Sequence, residues 1–280
     1  MSAVSQIHTS IIIPTRNHAT MLTRLVDGLR DTAAEFNEKI ELIIVDNNSD
    51  QPELLSFLKN LTNNQARDSF ASIQVLSYHK KFNYSAINNL AATKSTGKNL
   101  CFLNNDIEII KPTWLTALST PLTRDNTGCV GAMLYYPDDT IQHAGVYLDA
   151  KNIAGHLYKN EKRGSNGSDN YLLDEQVVSA VTAACMLITK KLFNEVNGFN
   201  ESLSVAFNDV DLCLKVRQAG YDNIWTPAAE LYHHESKSRR LSHQRSTVQK
   251  LNHKKEVFLM KRLWQRELNA DKHHPEATLG

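Results

Sequence analysis

Long apolar runs, cysteine pairs, internal repeats and low-complexity tracts are all missing from this 280-residue sequence. Without a stretch of about 18 apolar residues, no membrane-spanning helix is expected. The first ten residues, MSAVSQIHTS, lack a basic start followed by an apolar segment, so no secretory leader is expected either. The four cysteines, Cys101, Cys129, Cys185 and Cys213, stand far apart among apolar neighbours with no CxxC spacing. They read as buried thiols in a reducing compartment rather than as zinc ligands or disulfides. A 41% hydrophobic and 22% charged composition excludes disordered and collagen-like chains and describes an ordinary globular protein. Net charge is almost absent, at +1, but the total is uneven: residues 237–280 hold eleven Lys/Arg against four Asp/Glu. The first 236 residues are therefore acidic.

What is present is an alternation of strand and helix. Ser10-Ile11-Ile12-Ile13-Pro14 reads as a buried strand, and Met21, Leu22, Leu25, Val26 and Leu29 recur at helical spacing up to about Phe36. Strands follow at 40–45, 73–77 and 100–103, with helices at about 52–61 and 84–94. This pattern predicts a mostly parallel sheet covered on both faces. Beyond residue 106 the expectations are a helix from Pro112, a strand over 129–136, a hairpin around Pro137-Asp138-Asp139, a mobile loop at 160–170 and one continuous buried strand over 177–188.

Three of these strands run straight into polar clusters: Thr15-Arg16-Asn17, Asp46-Asn47-Asn48 and Asn104-Asn105-Asp106. In an open α/β sheet the carboxyl ends of the strands line the ligand crevice, so three such clusters together point to a binding site. Residues 209–219 read as a helix with Asn208 as N-cap and Gly220 as its stop. A helical wheel puts Asp209 with Cys213 and Val216 on the apolar face. Asp211 falls on the solvent face with Lys215 one turn on as its partner. From the residues alone Asp209 is either a carboxylate steadying a helix N-terminus or a base projected into a cleft.

The ordered segments PTRN, VDNNS, FNYSAINNLAA, FLNNDIEI, TAACMLI, FNDVDLCLKVRQAGY and YHHESKSR resemble those of family 2 glycosyltransferases. These are inverting enzymes of GT-A fold, and the likeness is to bacterial rhamnosyltransferase-like members that build cell-surface polysaccharides. It covers roughly residues 9–240. The resemblance implies an α/β GT-A domain over 1–236, with a nucleotide half at about 9–106 and an acceptor half at about 107–236. Residues 237–280 follow as a basic helical extension.

The same resemblance assigns roles. Pro14, Thr15, Arg16 and Asp46 would hold the nucleotide, and Asn83 and Asn88 would lie beside the donor sugar. Asn104, Asn105 and Asp106 stand where the family has its Asp-X-Asp motif. Asp106 would bind Mn²⁺ or Mg²⁺, with His233 favoured over His234 to complete the shell; Asn104, a neutral amide, implies weaker metal binding. Asp209 would be the catalytic base, with Asn208 replacing the Glu of a Glu-Asp pair. Ala183, Ala184 and Cys185 would line the acceptor side, Cys185 as packing. The implied partners are a UDP- or dTDP-sugar donor and a glycan or lipid-linked acceptor, with no nucleic acid. The implied place is the cytoplasm, at the inner face of the cell membrane if the extension touches lipid.

Two rival readings are a nucleotidyltransferase, which would need a Gly-rich basic loop where Pro14-Thr15-Arg16-Asn17 stands, and a non-catalytic glycan-binding relative, suggested by Asn104 and Asn208. In the extension, Val248, Leu251, Phe258, Leu259, Leu263 and Trp264 among basic residues predict an amphipathic helix. It would pack on the domain or meet anionic lipid.

Overall fold

The computed structural model describes residues 8–63, 69–234 and 247–273. Strands β1 (Thr9–Thr15), β2 (Ile40–Asp46), β3 (Ser72–Ser77) and β4 (Asn99–Leu103) are separated by helices α1 (Ala19–Glu35), α2 (Pro52–Asn63) and α3 (Tyr84–Lys94). The second half contains β5 (Ile107–Ile109), α4 (Trp114–Ser119), β6 (Thr127–Tyr135), β7 (Ile141–His143), β8 (Val146–Asp149), β9 (Ile153–His156), β10 (Gln176–Val178) and β11 (Cys185–Thr189). It continues through α5 (Lys190–Glu195), α6 (Asn208–Gln218), β12 (Asp222–His233) and α7 (Thr247–Asn269).

The main sheet runs β10-β12-β6-β11-β4-β1-β2-β3. Its first half is parallel, as the alternation predicts, because each helix carries the chain back across a face. In the second half β12 also runs parallel to β6, whereas β11 is antiparallel to both β4 and β6, and β10 and β5 are antiparallel to β12. Alternation along β1 divides the interior. Ile11 and Ile13 pack with Leu22, Leu25, Leu54 and Trp114 on one face, whereas Ile12 packs with Ile87, Phe102 and Phe193 on the other. All four cysteines are buried free thiols.

Three local expectations change. The apolar stretch 177–188 is two short strands, β10 and β11, with residues 179–184 crossing between them. Val181 in that crossing lies over Gly131 of β6, where an added Cβ would come within 2.5 Å of the valine Cβ. Apolar content reports burial, and a buried crossing satisfies it as well as a strand does. The 160–170 loop is fastened down: Ile141 N donates to Glu161 O (2.7 Å), and the Arg163 guanidinium stacks over Tyr135 and reaches Glu230.

Asp211 is buried, 1% exposed, and does not face solvent. Lys215 does pair with it, at 3.4 Å, but α7 covers Asp211. Trp264 Nε1 donates to Asp211 Oδ1 at 2.9 Å. The buried positions of α7 are Glu256, Met260, Trp264 and Leu268, one per turn. Glu256 accepts from Val205 N (2.9 Å) and Ser204 Oγ (3.1 Å), in the loop ahead of α6. Just past α7, Asp271 accepts from Leu148 N of β8 and from the Ser179 hydroxyl. The extension is thus joined to the loop before α6, to α6 itself, to β8 and to the 179–184 crossing.

Candidate functional site

Residues from five strand ends and one helix start converge at the carboxyl edge of the parallel strands. At the end of β1, Pro14 and Thr15 are buried and Arg16 is exposed. Thr15 O accepts from Asn47 N (2.9 Å), and Thr15 Oγ1 accepts from Asn105 Nδ2 (3.0 Å), so the first strand end is tied to the second and fourth. Asn17 donates from its backbone to Ser49 Oγ and from its amide to Asp50, both at 2.8 Å. Asp46 is half-buried and accepts from Ser49 N at 3.1 Å, which holds its carboxylate at the mouth of β2.

The Asn104-Asn105-Asp106 turn follows β4, and β5 immediately pairs with the end of β12, setting Ile107 opposite His233. That pairing brings His233 Nε2 to 3.1 Å from Asp106 Oδ1 and 3.3 Å from Asn104 Nδ2. His234 points elsewhere, to Glu108 at 2.8 Å, and Glu108 also accepts from Arg24 at 2.9 Å. Burial raises the Glu108 carboxyl, but the hydrogen bonds from His234 and Arg24 outweigh it and leave the group below its ordinary range. Asp106, His233 and Asn104 therefore offer a carboxylate, an imidazole and an amide at one place, hard oxygen and borderline nitrogen donors of the kind Mn²⁺ or Mg²⁺ accepts. Among the described residues no three His, Cys, Asp or Glu side chains gather as a complete cage, so a cation here would draw further ligands from what binds beside it. A cleft of about 510 Å³ opens next to this group, lined by His18, Met21, Arg24, Gln51, Asp106 and His234.

The other side of the site is built on the 179–184 crossing. Ala183 N donates to Asp209 Oδ2 at 3.1 Å, and one peptide later Ala184 O accepts from Asn104 N at 3.0 Å. Two consecutive small residues thus connect the first turn of α6 to the Asn104-Asn105-Asp106 turn. Asp209 is partly exposed, and its Oδ1 accepts from Val210 N (2.9 Å). Asn208 is not the N-cap. Phe207 takes that place in the left-handed region (φ 62°), while Asn208 is buried in the first turn, accepting from Asp209 N (2.8 Å). Cys185 opens β11 opposite Leu103 and is fully buried. Burial pushes its thiol well up, with Cys101 adding to the effect, so it stays protonated.

Asn83 and Asn88 have clear local tasks. Asn83 caps α3, accepting from Ala86 N (3.1 Å) and donating to Glu201 O (2.8 Å); Asn88 is fully buried and donates to Tyr84 O (2.8 Å). Asn83 ties the start of α3 to Glu201, whereas the Asn88 bond stays within α3, and the fully buried Asn88 presents no surface to a ligand.

Three residues of the site have no role assigned from the sequence: Tyr84 and Glu108 lie within FNYSAINNLAA and FLNNDIEI without one, and Gln142 lies outside every such segment. Tyr84 donates to Ala183 O (2.8 Å), so it braces the residue whose N–H meets Asp209. Burial raises its phenol far above the ordinary value and the Asp209 charge adds to that, keeping the hydroxyl a donor. Gln142 of β7 contacts His233, and Glu108 holds His234 away from Asp106. A short β7 and a lone Glu give no local signal; only the pairing of distant strands reveals them.

A family model described as glycosyl transferase family 2 matches residues 10–196. The chain is 44% identical over 266 residues to "Uncharacterized protein y4gI" of Sinorhizobium fredii, covering 94% of this chain and 28% of that protein. It is 34% identical over 239 residues to O-antigen biosynthesis protein RfbC of Myxococcus xanthus, covering 82% and 18%. Over a shorter segment of 64 residues it is 33% identical to an N-acetylglucosaminyl-diphospho-decaprenol L-rhamnosyltransferase of Mycobacterium tuberculosis, covering 23% and 21%. The chain spans less than a third of the length of each of these relatives. Among solved structures it is similar to GalNAc-T7 with UDP, GalNAc and Mn²⁺ (TM-score 0.63, 14% identity, 82% of this chain and 44% of that one). It is also similar to the mannosyltransferase PcManGT of Pyrobaculum calidifontis in complex with GDP-Man and Mn²⁺ (TM-score 0.59, 12% identity, 95% and 76%).

Proposed function

Because this chain belongs to glycosyl transferase family 2 and has the GT-A fold, we propose that it transfers a sugar, with inversion, from a nucleoside diphosphate donor to a hydroxyl of a glycan or lipid-linked acceptor in cell-surface polysaccharide synthesis. The observation that carries this reading is the Ala183-Ala184 connection, which joins Asp209 to the Asn104-Asn105-Asp106 turn through two consecutive residues.

Asp209 takes the proton from the acceptor hydroxyl as that oxygen attacks the anomeric carbon from the face opposite the diphosphate. The bond from that carbon to the diphosphate breaks as the glycosidic bond forms, and the nucleoside diphosphate leaves with the electron pair. A divalent cation held by Asp106 and His233, with Asn104 beside them, would neutralise charge on the leaving diphosphate. Pro14, Thr15, Arg16 and Asp46 hold the nucleotide of a UDP- or dTDP-sugar, a carboxylate at a strand end being a suitable acceptor for base or ribose donors.

Melting-temperature shifts with UDP-, dTDP- and GDP-sugars, each with and without Mn²⁺, test this. One nucleotide class should stabilise the protein, more so with Mn²⁺, and turnover should release the nucleoside diphosphate. Release of pyrophosphate, or no shift with any donor, would overturn the reading.

No helix among the described residues is long and apolar enough to cross a membrane. The outer face of α7 nevertheless exposes Phe258 (69%), Leu251 (53%) and Leu263 (43%) beside the exposed Lys254, Lys255, Lys261 and Arg262. This face supports peripheral contact with anionic lipid. The full chain should sediment with phosphatidylglycerol vesicles at low salt, less at high salt, and less again as Phe258→Asp; equal sedimentation of both proteins would count against it.

A further inference from the structure

Gln142 lies in β7, 6% exposed, with both ends of its amide on one residue. Its Oε1 is 2.5 Å from His233 Nδ1, and its Nε2 is 3.3 Å from His233 O. The backbone carbonyl can only accept, so the NH₂ of Gln142 must face it, and the amide oxygen is left facing the ring. That oxygen can only accept as well. His233 Nδ1 must therefore carry a proton. In the neutral imidazole this leaves the lone pair on Nε2, where Asn104 Nδ2 can donate to it across 3.3 Å. The same lone pair stands 3.1 Å from Asp106 Oδ1. Two acceptors at that distance repel unless a positive centre lies between them.

We propose that Gln142 is a positioning residue for the cation site: it locks His233 as the Nδ1–H tautomer and so presents Nε2, together with Asp106, to a divalent metal. The inference rests on the metal reading above and deepens it. A histidine that ligates through one nitrogen needs an acceptor on the other to fix its ring and tautomer. Here that acceptor comes from a three-residue strand paired to β6, not from the His233 strand itself. A cation would displace the Asn104 amide hydrogens from Nε2, so Asn104 has to turn its oxygen toward the metal to join the shell. This adds a reorganisation that an Asp at the same position would not face.

The test is Mn²⁺ titration of the full chain, with and without UDP, read by loss of the free-ion electron paramagnetic resonance signal. Gln142→Leu removes the acceptor and should weaken Mn²⁺ binding by about 10- to 100-fold. Gln142→Glu keeps an acceptor on Nδ1–H but gives up the donation to His233 O, so it should bind within a few-fold of the parent. If Gln142→Leu does not fold, Gln142→Glu decides alone: a tenfold loss in that variant overturns the proposal. Unchanged affinity in Gln142→Leu, with affinity lost in His233→Ala, would overturn the role of Gln142 and leave the metal reading standing. No Mn²⁺ binding by the parent, with or without UDP, would remove the metal reading and this inference together.

Discussion

Asp209→Asn is expected to lower turnover by about 10²- to 10⁴-fold, the usual contribution of a general base, while donor affinity stays within a few-fold of the parent. The substitution is nearly isosteric, so it separates proton removal from shape. One consequence must be controlled. Asp209 accepts on both oxygens, from Ala183 N and Val210 N, and an amide can serve only one of these donors with its oxygen. A stability loss of about 1–3 kcal/mol is therefore expected alongside, to be read as a melting shift at saturating donor. Unchanged turnover would remove Asp209 from the chemistry and return it to the helix N-terminus, where it would be steadying the free amides of α6.

Tyr84 and the Ala183 peptide explain why that carboxylate has a defined place. Tyr84 fixes Ala183 O, the same residue's N–H fixes Asp209 Oδ2, and Ala184 O fixes Asn104 N. The base is thus positioned by backbone groups of a crossing whose side chains are small. Larger residues at 183 or 184, both buried, would lift the crossing from the sheet.

The nucleotide half of the fold is legible in the sequence because its rules are local. A short β-branched run bounded by Pro or by Asp-Asn clusters reads as a buried strand feeding a loop, and parallel strands need helices between them. The polar strand ends follow from the same pattern, so Thr15, Asp46 and Asp106 are found together. The wheel puts Asp209 on the inner side of α6, where its carboxylate meets Ala183 N. Asp211 is misplaced by the same wheel, since a wheel weighs only the residues of its own helix. What buries Asp211 is Trp264, 53 residues further on. Gln142 and His233 are 91 residues apart, and no periodicity connects them. The apolar residues read as the amphipathic face of the extension likewise include Leu251, Phe258 and Leu263, which are exposed, and leave out Glu256, which is buried because Ser204 and Val205 supply its donors.

Trp264→Ala is expected to cost about 3–5 kcal/mol, the usual range for truncating a buried aromatic residue, and to lower the melting temperature by roughly 10 °C at about 2–4 °C per kcal/mol for a chain of this order of size. Trp264 is 4% exposed and packs with Met260 and Leu268 in the larger face of the core. Its indole N–H is also the hydrogen-bond donor to Asp211 Oδ1, leaving Oδ2 to Lys215 at 3.4 Å. Trp264→Phe separates these two contributions. It keeps most of the ring but removes the donor, so its cost should fall to about 1–3 kcal/mol. Asp211 lies two positions beyond Asp209 on the same helix, so loosening it should also lower turnover, and by more in Trp264→Ala than in Trp264→Phe. A loss below about 1 kcal/mol in Trp264→Ala would mean that α7 rests on the domain as a solvated appendage. The buried Glu256 and Asp271, which accept from the loop ahead of α6, from β8 and from Ser179, argue against that. Both carboxylates are satisfied only while α7 is docked, so an undocked helix would leave the backbone amides of Val205 and Leu148 without these acceptors and Asp211 without its indole partner. The basic extension thus braces the helix that carries Asp209 with its inner face, and only its outer face is left to meet a surface.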